Sequence, residues 1–180
     1  MRCFISVDAA ESLRGKIGEM QHEISKLGLG VKLVEPENLH FTVNFMGEVN
    51  EDEVKRVIKS LDFLRSEPAF KIEISGLHHF GPSHRPRTLW LGVNEGMNEM
   101  EGLMKAVNEN VKAGEMNFSP HLTIARVKSS KNVNVLKDFM MSHSNVKIGE
   151  MMVKYVKLKG SELASRGPLY KDVSVFELKG

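Results

Sequence analysis

The chain has 180 residues, a formal net charge of +2 with neutral histidines, and a single cysteine, Cys3. This length suits one domain or two small lobes, the weak charge argues against a protein that coats nucleic acid non-specifically, and one cysteine excludes an intrachain disulfide or a cysteine-based zinc site. The N-terminus lacks a signal-peptide pattern and no apolar run reaches the length of a membrane span, so we expect a cytoplasmic protein.

Strand and helix patterns alternate along the first half of the chain. Residues 2–7 form a short apolar run typical of a strand, and Asp8 with Glu11 predicts the capped start of a helix. The elements predicted after this helix are a strand at 31–34, a strand at 39–46, a helix capped by Asn50 and Glu53, and a strand at 70–77.

The second half of the chain repeats this order of elements. Its predicted elements are a strand at 88–93, a helix with a methionine-rich stripe at 97–107, a strand at 121–127, a helix at 133–139 and a long strand at 146–158. A further strand is expected at 172–178. The shared order predicts a duplicated module, with loop insertions and deletions between its two copies.

Each half carries one histidine followed two residues later by a threonine: His40 with Thr42, and His121 with Thr123. Strand residues two apart point to the same face, so each half offers an imidazole and a hydroxyl on one side of a strand. Two histidines flanking one phosphorus can act as general acid and general base near neutral pH. The threonine hydroxyls can donate hydrogen bonds to phosphate oxygens, and no metal is required.

The segments around both motifs resemble those of the two-histidine phosphoesterase superfamily. Within it, the chain resembles the RNA 2′,3′-cyclic phosphodiesterases, long called 2′-5′ RNA ligases. The similar segments are residues 37–47 and 118–126 around the motifs, and residues 2–7, 86–93 and 167–170 elsewhere. The resemblance therefore spans nearly the whole chain.

This resemblance implies an α+β fold in one bilobal domain over residues 1–180. Two mainly antiparallel sheets would flank a central cleft with pseudo-twofold symmetry, and the helices would lie outside. We expect lobes formed roughly by residues 1–80 and 85–165, with strands exchanged between them and a C-terminal edge strand.

The resemblance also implies an activity, hydrolysis of an RNA terminal 2′,3′-cyclic phosphate to a 2′-phosphate. His40 would be the proton donor, His121 the proton acceptor, and Arg126 a phosphate ligand beside Thr42 and Thr123. From the residues alone, either histidine can be the acid. No cofactor or metal is expected, and the expected partner of a monomer is RNA with a cyclic phosphate end, such as a tRNA half.

Two of these assignments conflict with simple patterns. Strict alternation puts Arg126 on the face of Leu122 and Ile124, so a bulge or strand end must re-aim it toward the cleft. Phe4 and Trp90 occupy equivalent positions in the two halves. Both suit core packing, and a base-stacking role for Phe4 is the alternative.

Other functions stay open at this stage. The same site run in reverse is a 2′-5′ RNA ligase, small cyclic nucleotides are alternative substrates, and a catalytically silent RNA binder would use the same cleft. His78, His79 and His84 suggest a zinc site, but His78 and His79 point to opposite faces of a strand and cannot easily ligate one ion. We therefore expect these three histidines to lie near a loop at the rim of the cleft rather than to bind a metal.

Overall fold

The computed structural model describes residues 1–129 and 131–180, which form a mixed α and β structure, so the predicted α+β class is confirmed. The helices in this part of the chain are α1 (Glu11–Ser25), α2 (Glu51–Ser60), α3 (Met97–Val111) and α4 (Val133–Ser142). The strands are β1 (Arg2–Asp8), β2 (Val31–Leu33), β3 (His40–Glu48), β4 (Phe70–Phe80), β5 (Thr88–Val93), β6 (Glu115–Met116), β7 (Leu122–Val127), β8 (Lys147–Val153), β9 (Tyr155–Ala164) and β10 (Gly167–Glu177).

The strands pair antiparallel in the order β10-β9-β1-β3-β7-β5-β4-β8, with β2 beside β7 and β6 beside β3. We call β10, β9, β1 and β3 the first half-sheet, and β7, β5, β4 and β8 the second half-sheet. One residue pair, Phe41 with Leu122, joins β3 to β7. The two sheets expected from the sequence are thus joined at a single residue pair. Beyond this pair, β6 pairs with β3 and β2 pairs with β7. We call the face of the joined sheet that carries both histidine motifs the cleft.

The half-sheets do not follow the halves of the chain. Strand β4 lies in the second half-sheet between β5 and β8, whereas β9 and β10 lie in the first half-sheet beside β1. The strand predicted at 146–158 is therefore wrong as one element, because it divides into β8 and β9 around Lys154. The Lys154 carbonyl accepts a hydrogen bond from Leu178 N at 2.7 Å, which anchors the chain where it changes half-sheet.

Of the two predicted helix caps, one is confirmed and one is wrong. Asn50 and Glu53 form the capping box of α2, with reciprocal bonds of 2.9 and 2.8 Å. Helix α1 instead begins after Ala10 without a side-chain cap. Asp8 does not cap it, because this residue still belongs to β1, where its carboxylate pairs with Lys157 at 3.1 Å and Lys159 at 2.7 Å.

Alternation along the strands separates an apolar face from a polar one. In β1 and β3, Ile5, Val7, Phe41 and Val43 are at most 1% exposed and belong to the hydrophobic core. Buried apolar residues of α1, α2 and α3 pack into the same core. The opposite face of both half-sheets is polar and aromatic, and it lines the cleft. No helix within residues 1–129 and 131–180 is long and apolar enough to span a membrane.

Candidate active site

His40 is held at the start of β3 in a defined tautomer. Its Nδ1 lies 2.6 Å from the carbonyl oxygen of Asn38. Since a carbonyl oxygen can only accept a hydrogen bond, Nδ1 carries the proton. The neutral ring therefore has its lone pair on Nε2, and Nε2 lies 2.9 Å from Oγ1 of Thr42.

His121 is held in the same way just before β7. Its Nδ1 lies 3.0 Å from the carbonyl oxygen of Ser119, which again stands two residues before the histidine. The neutral ring of His121 therefore also has its lone pair on Nε2. The two motifs thus repeat each other in backbone anchoring as well as in sequence.

The junction of the half-sheets brings the two histidines near each other. Phe41 and Leu122, which follow His40 and His121 directly, form the one residue pair between β3 and β7. Burial lowers the pKa of His40 from its ordinary value, and the charges of Lys159 and His121 lower it further. The bond to Asn38 and the charge of Asp8 oppose these effects. In the free protein the His40 ring is thus biased toward its neutral form.

The two threonines lie on the cleft face beside their histidines. Thr42 is paired in register with Ser6 of β1, and Thr123 with Trp90 of β5. Thr42 is 7% exposed, whereas Thr123 is half-buried. The Thr42 hydroxyl hydrogen-bonds to the imidazole of His40, so this threonine also fixes the ring.

A bulge re-aims Arg126. The register of β5 against β7 shifts between Leu89 and Trp90, which face Ala125 and Thr123 respectively. Ile124 and Ala125 are both fully buried as a result, and Arg126 returns to the exposed face that carries Thr123. A similar shift in β1 against β3 returns Phe45 to the exposed face of the first half-sheet.

Phe4 supports His40 and offers little surface to a base. Its side chain is only 4% exposed, and its ring lies 5.0 Å from the His40 ring and 4.7 Å from the Tyr170 ring, edge-on. The structure therefore favours the packing interpretation of Phe4 over base stacking. Phe45, 51% exposed and with its ring 6.3 Å from that of Phe4, is the more accessible aromatic side chain on this wall.

Tyr170 is a residue of the cleft to which sequence reasoning gave no role. Its ring meets His40 edge-on at 5.7 Å. Burial raises the pKa of Tyr170, and the charge of Arg126 counteracts part of that effect. Tyr170 lies in the segment 167–170, which resembles the family, but nothing in the sequence shows that β10 lies near His40 and Phe4.

The wall formed by the second half-sheet is aromatic around His121. Phe80 meets the His121 ring edge-on at 4.9 Å and Trp90 at 5.8 Å, while His78 lies 4.6 Å from the Trp90 ring. Trp90 is half-buried in the cleft wall rather than in the core, because its strand position shares a face with Thr123. Each catalytic candidate thus rests against aromatic rings of its own half-sheet.

Asn117 connects the two motifs through the backbone. Its Nδ2 donates to the Thr42 carbonyl at 2.8 Å and its main-chain N donates to the Val43 carbonyl at 3.1 Å. Its Oδ1 accepts from the N–H of Ser119 at 3.2 Å, and the Ser119 carbonyl holds His121. One side chain therefore links the strand of His40 to the loop of His121.

Two fully buried asparagines secure this link from behind. Nδ2 of Asn108, in α3, donates to the carbonyl of Asn117 at 2.9 Å and lies 3.2 Å from the carbonyl of Val43. Asn44 donates to Oδ1 of Asn108 at 2.8 Å. Both asparagines are 0% exposed, so these bonds form in a dry interior.

The described residues contain one group with metal-ligand spacing, which is Glu73, Glu95 and Glu150. These residues lie outside both histidine motifs. Lys147 places its amine 2.8 Å from Glu73, and the hydrogen bond from this amine is the main reason that the pKa of Glu73 is lowered. Lys71 lies 3.5 Å from Glu150, so two of the three carboxylates already have a cationic partner.

Comparisons with known proteins agree with this fold. A family model described as LigT like Phosphoesterase matches residues 7–90. An RNA 2′,3′-cyclic phosphodiesterase of Archaeoglobus fulgidus is 40% identical over 181 residues, covering 98% of this chain and 100% of the relative. One of Methanothermobacter thermautotrophicus is 39% identical over 183 residues, covering 99% of each chain. A crystal structure of a Thermus thermophilus protein superposes with a TM-score of 0.78 at 29% identity, covering 100% of this chain and 99% of that one.

The fold and these relatives define an enzyme of the phosphodiesterase class. The chain belongs to the LigT-like phosphoesterase family. The family predicted from the two motifs is thereby confirmed.

Proposed function

We propose that this enzyme hydrolyses the terminal 2′,3′-cyclic phosphodiester of RNA to a 2′-phosphomonoester without a metal ion. The observation that carries the proposal is the matched anchoring of His40 and His121. Each Nδ1 is bound to a carbonyl oxygen two residues earlier, so Nε2 is the atom of each ring that transfers a proton, and in His40 it exchanges its bond to Thr42 for one to the substrate. The similarity to two RNA 2′,3′-cyclic phosphodiesterases, at 39% and 40% identity, supports the substrate.

The reaction needs one proton removed and one proton supplied. His121 takes a proton from water, and the water oxygen attacks phosphorus on the side opposite the 3′ oxygen. The bond between phosphorus and the 3′ oxygen breaks, and protonated His40 gives its proton to that oxygen. The 2′-phosphate leaves with His40 neutral and His121 protonated, so proton exchange with solvent resets the pair.

The remaining cleft residues stabilise the charge on phosphate. Thr123 donates a hydrogen bond to a non-bridging oxygen, and Thr42 does the same once His40 is protonated and Nε2 no longer accepts the Thr42 hydrogen. The Arg126 guanidinium lies on the same exposed face as Thr123. A phosphate anion beside His40 would favour its imidazolium form, which offsets the burial that lowers the pKa of this ring in the free protein.

The test is hydrolysis of a short RNA with a 2′,3′-cyclic phosphate end by EDTA-treated protein. We expect full activity in EDTA, and a loss of about 100- to 10,000-fold in His40→Ala and in His121→Ala. His22→Ala, on the exposed side of α1, is the matched control and should keep full activity. Activity that depends on an added metal, or full activity in either cleft variant, would contradict the mechanism, and RNA joining as the main outcome would reassign the reaction to ligation.

A further inference from the structure

Two unpaired cations stand side by side at one end of the cleft. Lys32 of β2 lies directly opposite Arg126 of β7 in the antiparallel register, and both residues are exposed. Side chains directly opposite each other share a face, with Cβ atoms about 5 Å apart, and like charges in this position destabilise the pair. Within residues 1–129 and 131–180, neither cation forms an ion pair with a carboxylate.

The amine of Lys32 reaches across the cleft toward the other wall. A methyl group built on Gly167, at the start of β10, would lie 3.8 Å from Lys32 Nζ. Tyr170 follows three residues later on β10, and the charge of Arg126 acts on its hydroxyl. Lys32, which lies opposite Arg126 in register, therefore reaches β10, where the ring of Tyr170 lies 5.7 Å from that of His40.

This arrangement suits an anion longer than one phosphate. Arg126 returns to the exposed face three residues after Thr123, and Lys32 lies opposite it on the neighbouring strand β2, at the end of β7 away from His121. An RNA end carries a second charge in the phosphodiester on the 5′ side of its terminal nucleoside. A lysine is suited to this group, since its ammonium acts as a flexible point charge.

We propose that Lys32 binds the phosphodiester that links the terminal nucleoside to its 5′ neighbour, and so selects RNA ends over free cyclic nucleotides. This inference rests on the proposed function, because it takes the cyclic phosphate to lie between the two histidines. It adds a second anion subsite, occupied by a group that does not react.

The test compares substrates that differ only at this phosphodiester. One is a trinucleotide ending in a 2′,3′-cyclic phosphate, a second carries a neutral methylphosphonate at its last internucleotide linkage, and the third is adenosine 2′,3′-cyclic phosphate. In the unaltered enzyme, kcat/KM should be about two- to tenfold higher for the charged trinucleotide than for its methylphosphonate analogue. In Lys32→Gln this preference should disappear, while kcat/KM for adenosine 2′,3′-cyclic phosphate stays unchanged.

Salt dependence gives an independent measurement. A plot of log kcat/KM against log salt concentration has a negative slope for the charged trinucleotide. In Lys32→Gln, loss of one phosphate contact to single-stranded RNA should make this slope shallower by about 0.7. Lys16→Gln removes the same charge from the exposed side of α1 and is the matched control, for which both the preference and the slope should be retained.

Three results would overturn the inference. An unchanged charge preference in Lys32→Gln would show that this lysine only protects the exposed edge of β2 from pairing with another strand. An equal loss on adenosine 2′,3′-cyclic phosphate would place Lys32 on the reacting phosphate. If the unaltered enzyme hydrolysed none of the three substrates, the proposed function would be overturned, and this inference with it.

Discussion

His40 and His121 interact across the junction of the half-sheets: burial lowers the pKa of His40, and the charge of His121 lowers it further. A positive charge on His121 therefore disfavours a proton on His40. The phosphate anion of the substrate counteracts this effect, because it stabilises the imidazolium form that His40 needs as the acid.

The first prediction concerns the pH dependence of hydrolysis. If His40 is the acid, its loss of a proton sets the alkaline limb of kcat/KM. Because burial favours the neutral ring, a lower pH is needed to protonate it, so this limb should lie below the ordinary histidine value of 6.5. In the pH profile of kcat, which reports the enzyme–substrate complex, the alkaline limb should lie at higher pH, because the bound phosphate anion stabilises the imidazolium form of His40.

Rate profiles of the single variants assign the two limbs. The residual activity of His40→Gln should lack the alkaline limb, and that of His121→Gln should lack the acid limb. The reverse pattern would exchange the roles of acid and base between the two histidines while keeping the two-histidine mechanism.

The second prediction separates the two threonines. Thr123→Val removes a hydroxyl that has no hydrogen bond to His121 within the described residues, so it should lower kcat by about 100-fold without changing the pH limbs. Thr42→Val should lower kcat similarly and also shift the limb assigned to His40, because Thr42 Oγ1 bonds to Nε2 of that ring. Identical pH profiles in the two variants would contradict this difference.

The third prediction concerns Asn117 as a positioning residue. Asn117→Ala should lower kcat about tenfold or more with little change in KM, because it breaks the link between Thr42 and Ser119 rather than a contact to substrate. Asn117→Asp keeps the acceptor for the N–H of Ser119 but places a carboxylate oxygen against the Thr42 carbonyl, so its defect should be at least as large as that of Asn117→Ala.

Its matched control is Asn110→Ala on the exposed side of α3. Asn110 donates to the carbonyl of Ala106 and touches neither motif, so this variant should keep its rate. Equal effects on kcat and KM in Asn117→Ala, or a defect that simply follows a lower melting temperature, would point to a structural role alone.

The fourth prediction is a stability change at Asp8. Burial raises the pKa of Asp8, but the hydrogen bonds and charges of Lys159 and Lys157 outweigh it, and the net pKa is lowered from 3.8. Asp8→Asn leaves Lys159, only 5% exposed, without its closest carboxylate and should destabilise the fold by about 2 kcal/mol at neutral pH.

The sign of its pH dependence follows from the lowered pKa. The ionised form is favoured by folding, so the stabilisation is complete above 3.8 and is lost as pH falls through the lower pKa of the folded state. Denaturant unfolding should thus show a higher free energy of unfolding for the unaltered protein than for Asp8→Asn at neutral pH, and this difference should narrow in acid. A difference that is constant with pH would show that the Asp8 charge is not responsible.

The sequence alone was sufficient for features that depend on local spacing. Two-residue alternation put His40 with Thr42 and His121 with Thr123 on the face opposite the core residues between them, because neighbouring strand side chains must point to opposite sides. The capping box at Asn50 and Glu53 is equally local, since its bonds span three residues. The family followed from such short segments as well.

Tertiary structure decided what depends on partners distant in the chain. Asp8 became an ion-pair partner instead of a cap because β9 brings Lys157 and Lys159 beside it, and Tyr170 reached His40 because β10 lies beyond β9. Arg126 faces the cleft only through the bulge between β5 and β7. The sequence of a strand does not show which distant strand will pair with it. The sequence by itself therefore determined the reactive groups, and the assembled sheet decided which other groups surround them.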